Sequence, residues 1–319
     1  MKIPGLSLIA AIGLAGSALA QEPVWDGNKV ILESQKLAKG VFAVVPTGAD
    51  EMADKGQPIA TSSGFVIGSE GVLVIDTMLN ERLNTQLMNL IKAETDLPVR
   101  YAVNTSFHGD HSYGNQYLPD HTLVIQHSFT SKFVAEHLEA DKKFMIQNFG
   151  KGRGIEEIKV TKADILVGAK GQIDVDLGGI TVNIRDYGFA QTGGDFFVSV
   201  PSANVLWTGN PVIAKAPALP WLLDGRLIET RDTLQAVHDA INADTKIVPG
   251  HGPVTNIETI KWNIDYLNTV EREVKGAIAD GLSLEDTVAR VKLPDFQGYA
   301  LFDWVHRSLN VPAAYNDLK

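Results

Sequence analysis

The 319-residue sequence contains no cysteine. Disulfides are therefore excluded as a means of stabilising the fold, and thiolate as a nucleophile or metal ligand. Any metal site has to be assembled from His, Asp and Glu. Positive charge is also scarce: 28 Lys and Arg stand against 38 Asp and Glu, a formal net charge of −10. A surface of that sign repels nucleic acid and anionic lipid, so neither is an expected partner. After the N-terminus no apolar run approaches the ~20 residues that span a bilayer. Internal repeats, low-complexity tracts and interdomain linkers are missing as well.

What is present is a chain 45% hydrophobic with 29 glycines, enough for one large core. Its N-terminus stands apart. Met1-Lys2 is followed by apolar and small residues from Leu6 to Ala20, ending Ala18-Leu19-Ala20 before Gln21. A positive start, a short apolar middle and an A-x-A end predict a signal peptide over 1–20, cut after Ala20, and hence a periplasmic or secreted protein. Loss of Lys2 alone takes the formal charge from −10 to about −11. Residues 21–319 are then expected to form a single domain with a C-terminal helical tail.

Along that domain the patterning alternates between strand and helix. Strands are expected at 40–45, 63–68 and 72–76, then at 99–103, 122–126, 158–160, 173–175 and 180–184, and finally at 196–200, 205–208 and 247–249. Leu83, Leu87, Leu90 and Ile91 recur at helical spacing over 81–93. Further helices are expected from a Ser128 cap to about Phe149, around Leu234 and Val237, over 257–279, and from a Ser283 cap. Strands in both halves with helices between them imply a layered α/β architecture. The 46–58 connection and the Pro220-Trp221-Leu222-Leu223 loop are candidate flaps, the latter equally readable as a loop anchored by a buried Trp.

Chemistry concentrates in one stretch, Thr105-Ser106-Phe107-His108-Gly109-Asp110-His111, which follows the apolar strand end Tyr101-Ala102-Val103. Two imidazoles and a carboxylate within four residues suit a zinc-like cation, and the small residues around them allow a sharp turn. A polar loop with Asp110 as a helix cap would explain the aspartate but not the two histidines. Three later segments share the layout of a strand end, a sharp turn and polar groups: 190–195 with Gln191, 208–210 with Asn210, and Pro249-Gly250-His251-Gly252. Asp76 ends another apolar strand, and either caps the next helix or supports the site from behind. His121, His127, His137, His238 and His306 lack neighbours at ligand spacing, and His238 reads as a packed side chain on a helix face.

These segments, their order and the strand from Val72 to Asp76 resemble the metallo-β-lactamase superfamily, over nearly all of the chain after residue 20. The resemblance implies a four-layer αββα sandwich with its site at one edge between the sheets, and a hydrolase with one or two zinc ions. The family's His-x-His-x-Asp-His motif falls on Ser106, His108, Asp110 and His111; a later histidine falls on Gln191, an acidic metal bridge on Asn210, and a final histidine on His251. The losses are lopsided. The first metal position keeps only His108 beside Ser106 and Gln191, whereas the second keeps Asp110, His111 and His251, with Asn210 as a weak neutral donor.

Three N/O ligands with an open position describe a catalytic zinc, and a single carboxylate leaves such a complex net positive. The implied function is a single-metal hydrolase of an ester, lactam, lactone or thioester in a small-molecule substrate. Asp110 and the metal would position the hydroxide, and His108 would be freed for hydrogen bonding or proton transfer. β-Lactam hydrolysis by a two-metal route does not fit the broken first position. The other reading is a periplasmic binding or accessory protein, for example quinoprotein-associated, that has lost its metal.

Overall fold

The computed structural model describes residues 26–319; the expected signal peptide lies outside the described residues. The chain forms β1 (Leu32–Ala38), β2 (Val41–Pro46), α1 (Ala49–Asp54), β3 (Ser63–Ile67), β4 (Val72–Ile75), α2 (Glu81–Glu94) and β5 (Val99–Val103). The short α3 (Gly109–Ser112), β6 (Leu123–His127), α4 (Ser128–Phe149), β7 (Ile165–Val167), β8 (Gln172–Asp176) and β9 (Thr181–Arg185) follow. The second half is β10 (Phe197–Val200), β11 (Val205–Gly209), α5 (Leu227–Ala240), β12 (Lys246–Pro249), α6 (Ile257–Ala279), α7 (Leu284–Arg290) and α8 (Val311–Leu318).

Two sheets result. β1 to β7 lie side by side in chain order, antiparallel as far as β4 and parallel from β4 to β7, and the second sheet runs β12-β11-β10-β9-β8. The central strands β2 and β4 are apolar on both faces because each face meets a different layer, whereas β1, β8 and β9 leave polar residues exposed. In β4, Leu73 and Ile75 point into the core shared with Val198, Val205 and Trp207 of the second sheet, while Val72 and Val74 meet Leu83, Leu87 and Ile91 of α2. In the second sheet Leu206 and Ile247 face outward onto Leu234 of α5 and Ile260, Leu267 and Val270 of α6. The order is helices, sheet, sheet, helices, the expected αββα sandwich. Trp207 bridges the inner core, and its indole nitrogen donates to the Ser63 carbonyl at 3.1 Å.

Several local expectations need correction. No strand forms at 158–160; the strand pairing with β6 is β7, whose three residues are too few to show alternation. The 46–58 connection is not simply a loop, since it holds α1 and is tied to the C-terminal segment by Ala300 N–H donating to the Gly56 carbonyl at 2.5 Å. α4 is capped by His127, whose Nδ1 accepts from Phe129 N–H at 3.1 Å, and Ser128 is its first helical residue. The Ser283 cap of α7 forms as expected, accepting from Asp286 N–H at 3.1 Å. The C-terminal tail packs on the body through Val305, Val311 and Tyr315. Within it His306 is fully buried, held between the Tyr266 hydroxyl and the Val291 carbonyl. Trp221 is half-buried and packs edge-on against Trp304, so 220–223 is an anchored loop.

Candidate metal centre

Five strand ends converge on one edge of the sandwich. The end of β4 supplies Asp76, the chain after β5 supplies 104–111, the end of β11 leads to Asn210, and β12 runs into His251. The fifth is the approach to β3, where Thr61 forms an isolated bridge with His251. Tight backbone approach makes this possible. Gly209 has φ +59, and a side chain there would strike Thr105; one at Gly250 would stand 2.2 Å from the side-chain oxygen of Asn210. Asp76 and Met78 adopt left-handed φ values of 57° and 76°, strain of the kind that survives where the surrounding structure over-determines the backbone.

Asp110, His111 and His251 each offer a donor atom, and these atoms lie within 4.8 Å of one another. Asp110 does not cap a helix; it lies within α3, and its Oδ2 stands 3.5 Å from His111 Nε2 and 3.2 Å from His251 Nε2. The remote atoms of both imidazoles are already engaged. His111 Nδ1 is 2.8 Å from Asp76 Oδ2, and His251 Nδ1 is 2.9 Å from the Ile59 carbonyl oxygen. Both partners accept only, so each Nδ1 carries a proton and each Nε2 is turned toward the Asp110 carboxylate. Thr61 completes the arrangement by donating its hydroxyl to Asp110 Oδ2 at 2.7 Å. Asp76 is itself fixed, accepting from Thr105 N–H and from the Thr105 hydroxyl, each at 2.7 Å. The helix cap is left to Asn80, whose side chain accepts from Leu83 N–H.

Lone pairs from two imidazoles and a carboxylate aimed at one point repel unless a positive charge sits among them. The electrostatics record that demand. Burial works against charge on both groups, yet the neighbouring imidazoles hold the Asp110 carboxyl well below the usual carboxylate range. The Asp110 and Asp76 carboxylates push His111 up to about 9, again against burial. A proton answers the demand in the metal-free protein, and a metal cation answers it through the same lone pairs. The donor set of one carboxylate and two imidazoles, each oriented from behind, fits a zinc-like ion. Asp76→Ala is expected to weaken zinc binding by about 10- to 100-fold, measured by competition with a chromophoric chelator, because the ring it orients stays in place but loses its partner.

The other expected residues divide. Asn210 sits between the two halves, its Oδ1 3.0 Å from His111 Nε2 and its Nδ2 3.2 Å from His108 Nδ1. Ser106 Oγ is 3.1 Å from the same His108 nitrogen. His108 therefore spends Nδ1 on Asn210 and Ser106, and burial together with the nearby imidazoles lowers its pKa to about 4, overriding the Asp110 charge. Gln191 makes no hydrogen bond to any of these groups. Its backbone N–H is held by Asp195 Oδ2 at 2.7 Å, and its side-chain amide is buried with neither polar atom partnered. Sequence reasoning missed Thr61 and Ile59. Thr61 carries no motif, and Ile59 acts through its carbonyl, which no residue type can advertise.

The family model for the metallo-beta-lactamase superfamily matches residues 56–251. Among solved structures, a metallo-beta-lactamase from Pontibacter korlensis superposes with a TM-score of 0.55 at 18% identity, covering 75% of this chain and 99% of that one. The sec-alkylsulfatase Pisa1 from a Pseudomonas species gives a TM-score of 0.67 at 15% identity over 90% of this chain, which spans 50% of that chain. The DIM-1 metallo-beta-lactamase gives 0.55 at 16% identity, over 75% of this chain and 97% of that one. At these identities the likeness is one of fold. A search of curated proteins finds no match. The matched segment runs from Gly56 to His251, more than half of the chain, and takes in Thr61, the 104–111 turn, Asn210 and the final histidine: the chain belongs to the metallo-beta-lactamase superfamily.

Proposed function

We propose that the protein is a single-metal hydrolase that cleaves an ester, lactam, lactone or thioester bond, exported to the periplasm or beyond by residues 1–20. The observation that carries the reading is the convergence of Asp110, His111 and His251, with both remote imidazole nitrogens already tied to Asp76 and Ile59. Zinc held by these three residues would supply Lewis acidity and water of lowered pKa. The chain supplies the rest. Asp110, with Thr61 behind it, sets the direction from which a nucleophile approaches. His108, neutral because of its burial, keeps Nε2 without a protein partner among the described residues and so presents it to a substrate oxygen or proton. Asn210, bonded to both halves, fixes the spacing between His108 and His111.

The first metal position lacks the ligands for a second ion, which argues against a two-metal lactamase mechanism. The unpartnered Gln191 amide favours a second reading, a periplasmic binding or accessory protein. Turnover separates them. Purified protein with added zinc is offered 4-nitrophenyl acetate, a penicillin, a homoserine lactone and an acyl thioester. Hydrolysis of at least one, lost on chelation and restored by zinc, is the expected result. No metal-dependent turnover of any ester, lactone, lactam or thioester would leave the binding reading.

A further inference from the structure

We propose that the half of the centre that has lost its metal ligands binds the uncharged acyl portion of the substrate, an aromatic ring or alkyl chain seated on Phe107 and Phe129 with a neutral polar group on Gln191. The substrate class so defined rests on the hydrolase reading above.

The apolar part of this subsite begins at the centre itself. The Phe107 ring lies 4.5 Å from that of His108, and stacks on Phe133 at 3.8 Å between centroids. Phe129 stands 6.4 Å from Phe107 and 6.2 Å from Phe133, and His137 continues the row 4.8 Å beyond Phe133. Residues 129, 133 and 137 recur every four positions of α4 and so share one face of that helix. Core packing does not consume this face: Phe129 is 40% exposed, and Phe107 and Phe133 are only half-buried. Contact runs unbroken from His111 through Asn210, His108 and Phe107 to an aromatic surface open to solvent.

The polar part comes from the loop on the other side of Phe129. A side chain at Gly193 would stand 3.1 Å from the Phe129 ring, and the Thr130 hydroxyl donates to the Gly194 carbonyl at 3.0 Å, so the 191–195 turn lies against the start of α4. Phe196 N–H donates to the Thr105 carbonyl at 2.9 Å, joining the same turn to the metal centre. On this turn Gln191 is 2% exposed, with both side-chain polar atoms unpartnered. An unpaired buried donor and acceptor are costly unless a ligand or water answers them. A primary amide answers best to an amide or ester group, which offers both or one of the same functions. Ser106, Asn210 and Gln191 are all uncharged, and the named residues of this half include no Lys or Arg to hold an anion.

Two arms test this on the full chain with zinc added. The first compares 4-nitrophenyl 4-phenylbutyrate with 4-nitrophenyl acetate. kcat/KM is expected to favour the phenylbutyrate by about tenfold or more, the scale of burying one aromatic ring. Phe129→Ala is expected to collapse that ratio to within about threefold of unity, and Leu166→Ala, exposed on the edge strand β7, to leave it as in the wild type. The second arm titrates the uncharged, non-hydrolysed N-methyl-4-phenylbutyramide by calorimetry, and Phe129→Ala and Gln191→Leu are each expected to weaken it about tenfold. Binding that depends on Phe129 in a protein that turns over no ester defeats the hydrolase reading and leaves the subsite standing. A ratio and an amide affinity unchanged by Phe129→Ala, or no amide binding to the wild type, overturn the subsite and leave the aromatic row as packing within the chain.

Discussion

Asp110→Asn is expected to abolish turnover, lowering kcat/KM at least about a thousandfold, equivalent to about 4 kcal/mol of barrier. The substitution keeps the shape of the side chain and can still accept from the Thr61 hydroxyl, so local packing is preserved. What it removes is the one negative charge among the three converging donors. An amide does not balance a dication, and zinc content is expected to fall with activity. Wild-type zinc content with activity lost would instead place Asp110 in the chemistry but not in the binding. A rate within about tenfold of wild type would remove Asp110 from both.

The second large effect runs the other way. Ser106→His and Gln191→His in the first half, with Asn210→Asp between the two halves, replace three neutral residues, and metal content is expected to rise from about one ion per chain to about two. Asn210 is the residue on which this depends most, since it touches both His108 and His111 and an aspartate there reaches either side. Ser106 already contacts the His108 ring. Metal analysis by mass spectrometry reads the outcome directly. Content that stays at one would mean that the backbone around Ser106 and Gln191 no longer holds ligand geometry.

Much of this centre could be read from residue types, because its chemistry is carried by side chains with few alternative uses. Two histidines and an aspartate in four residues, and a histidine between glycines after Val248-Pro249, point to a cation when no cysteine is available to share the work. The sandwich was also legible: β4 is apolar throughout and β11 is apolar from Val205 to Trp207, as strands covered on both faces are. What stayed hidden is what depends on long-range placement. Ile59 orients His251 with a backbone carbonyl 192 positions away in the chain, and Thr61 reaches Asp110 across 49. Asp76 was ambiguous in the sequence because a carboxylate suits a helix cap and an imidazole partner equally; only the fold places Asn80 at the cap and Asp76 against His111. The aromatic row on α4 was invisible beside the motif, since Phe107 and Phe129 meet only when β5 and β6 pair.

The lopsided centre makes one quantitative claim, and metal stoichiometry tests it most directly. Protein purified without chelators, offered excess zinc and then desalted, is expected to hold one zinc per chain, since only Asp110, His111 and His251 form a complete donor set among the described residues. Less than about a tenth of an ion per chain would contradict the account, because metal-assisted hydrolysis needs an occupied site; two ions would contradict it equally, by making ligands of Ser106, Gln191 or Asn210.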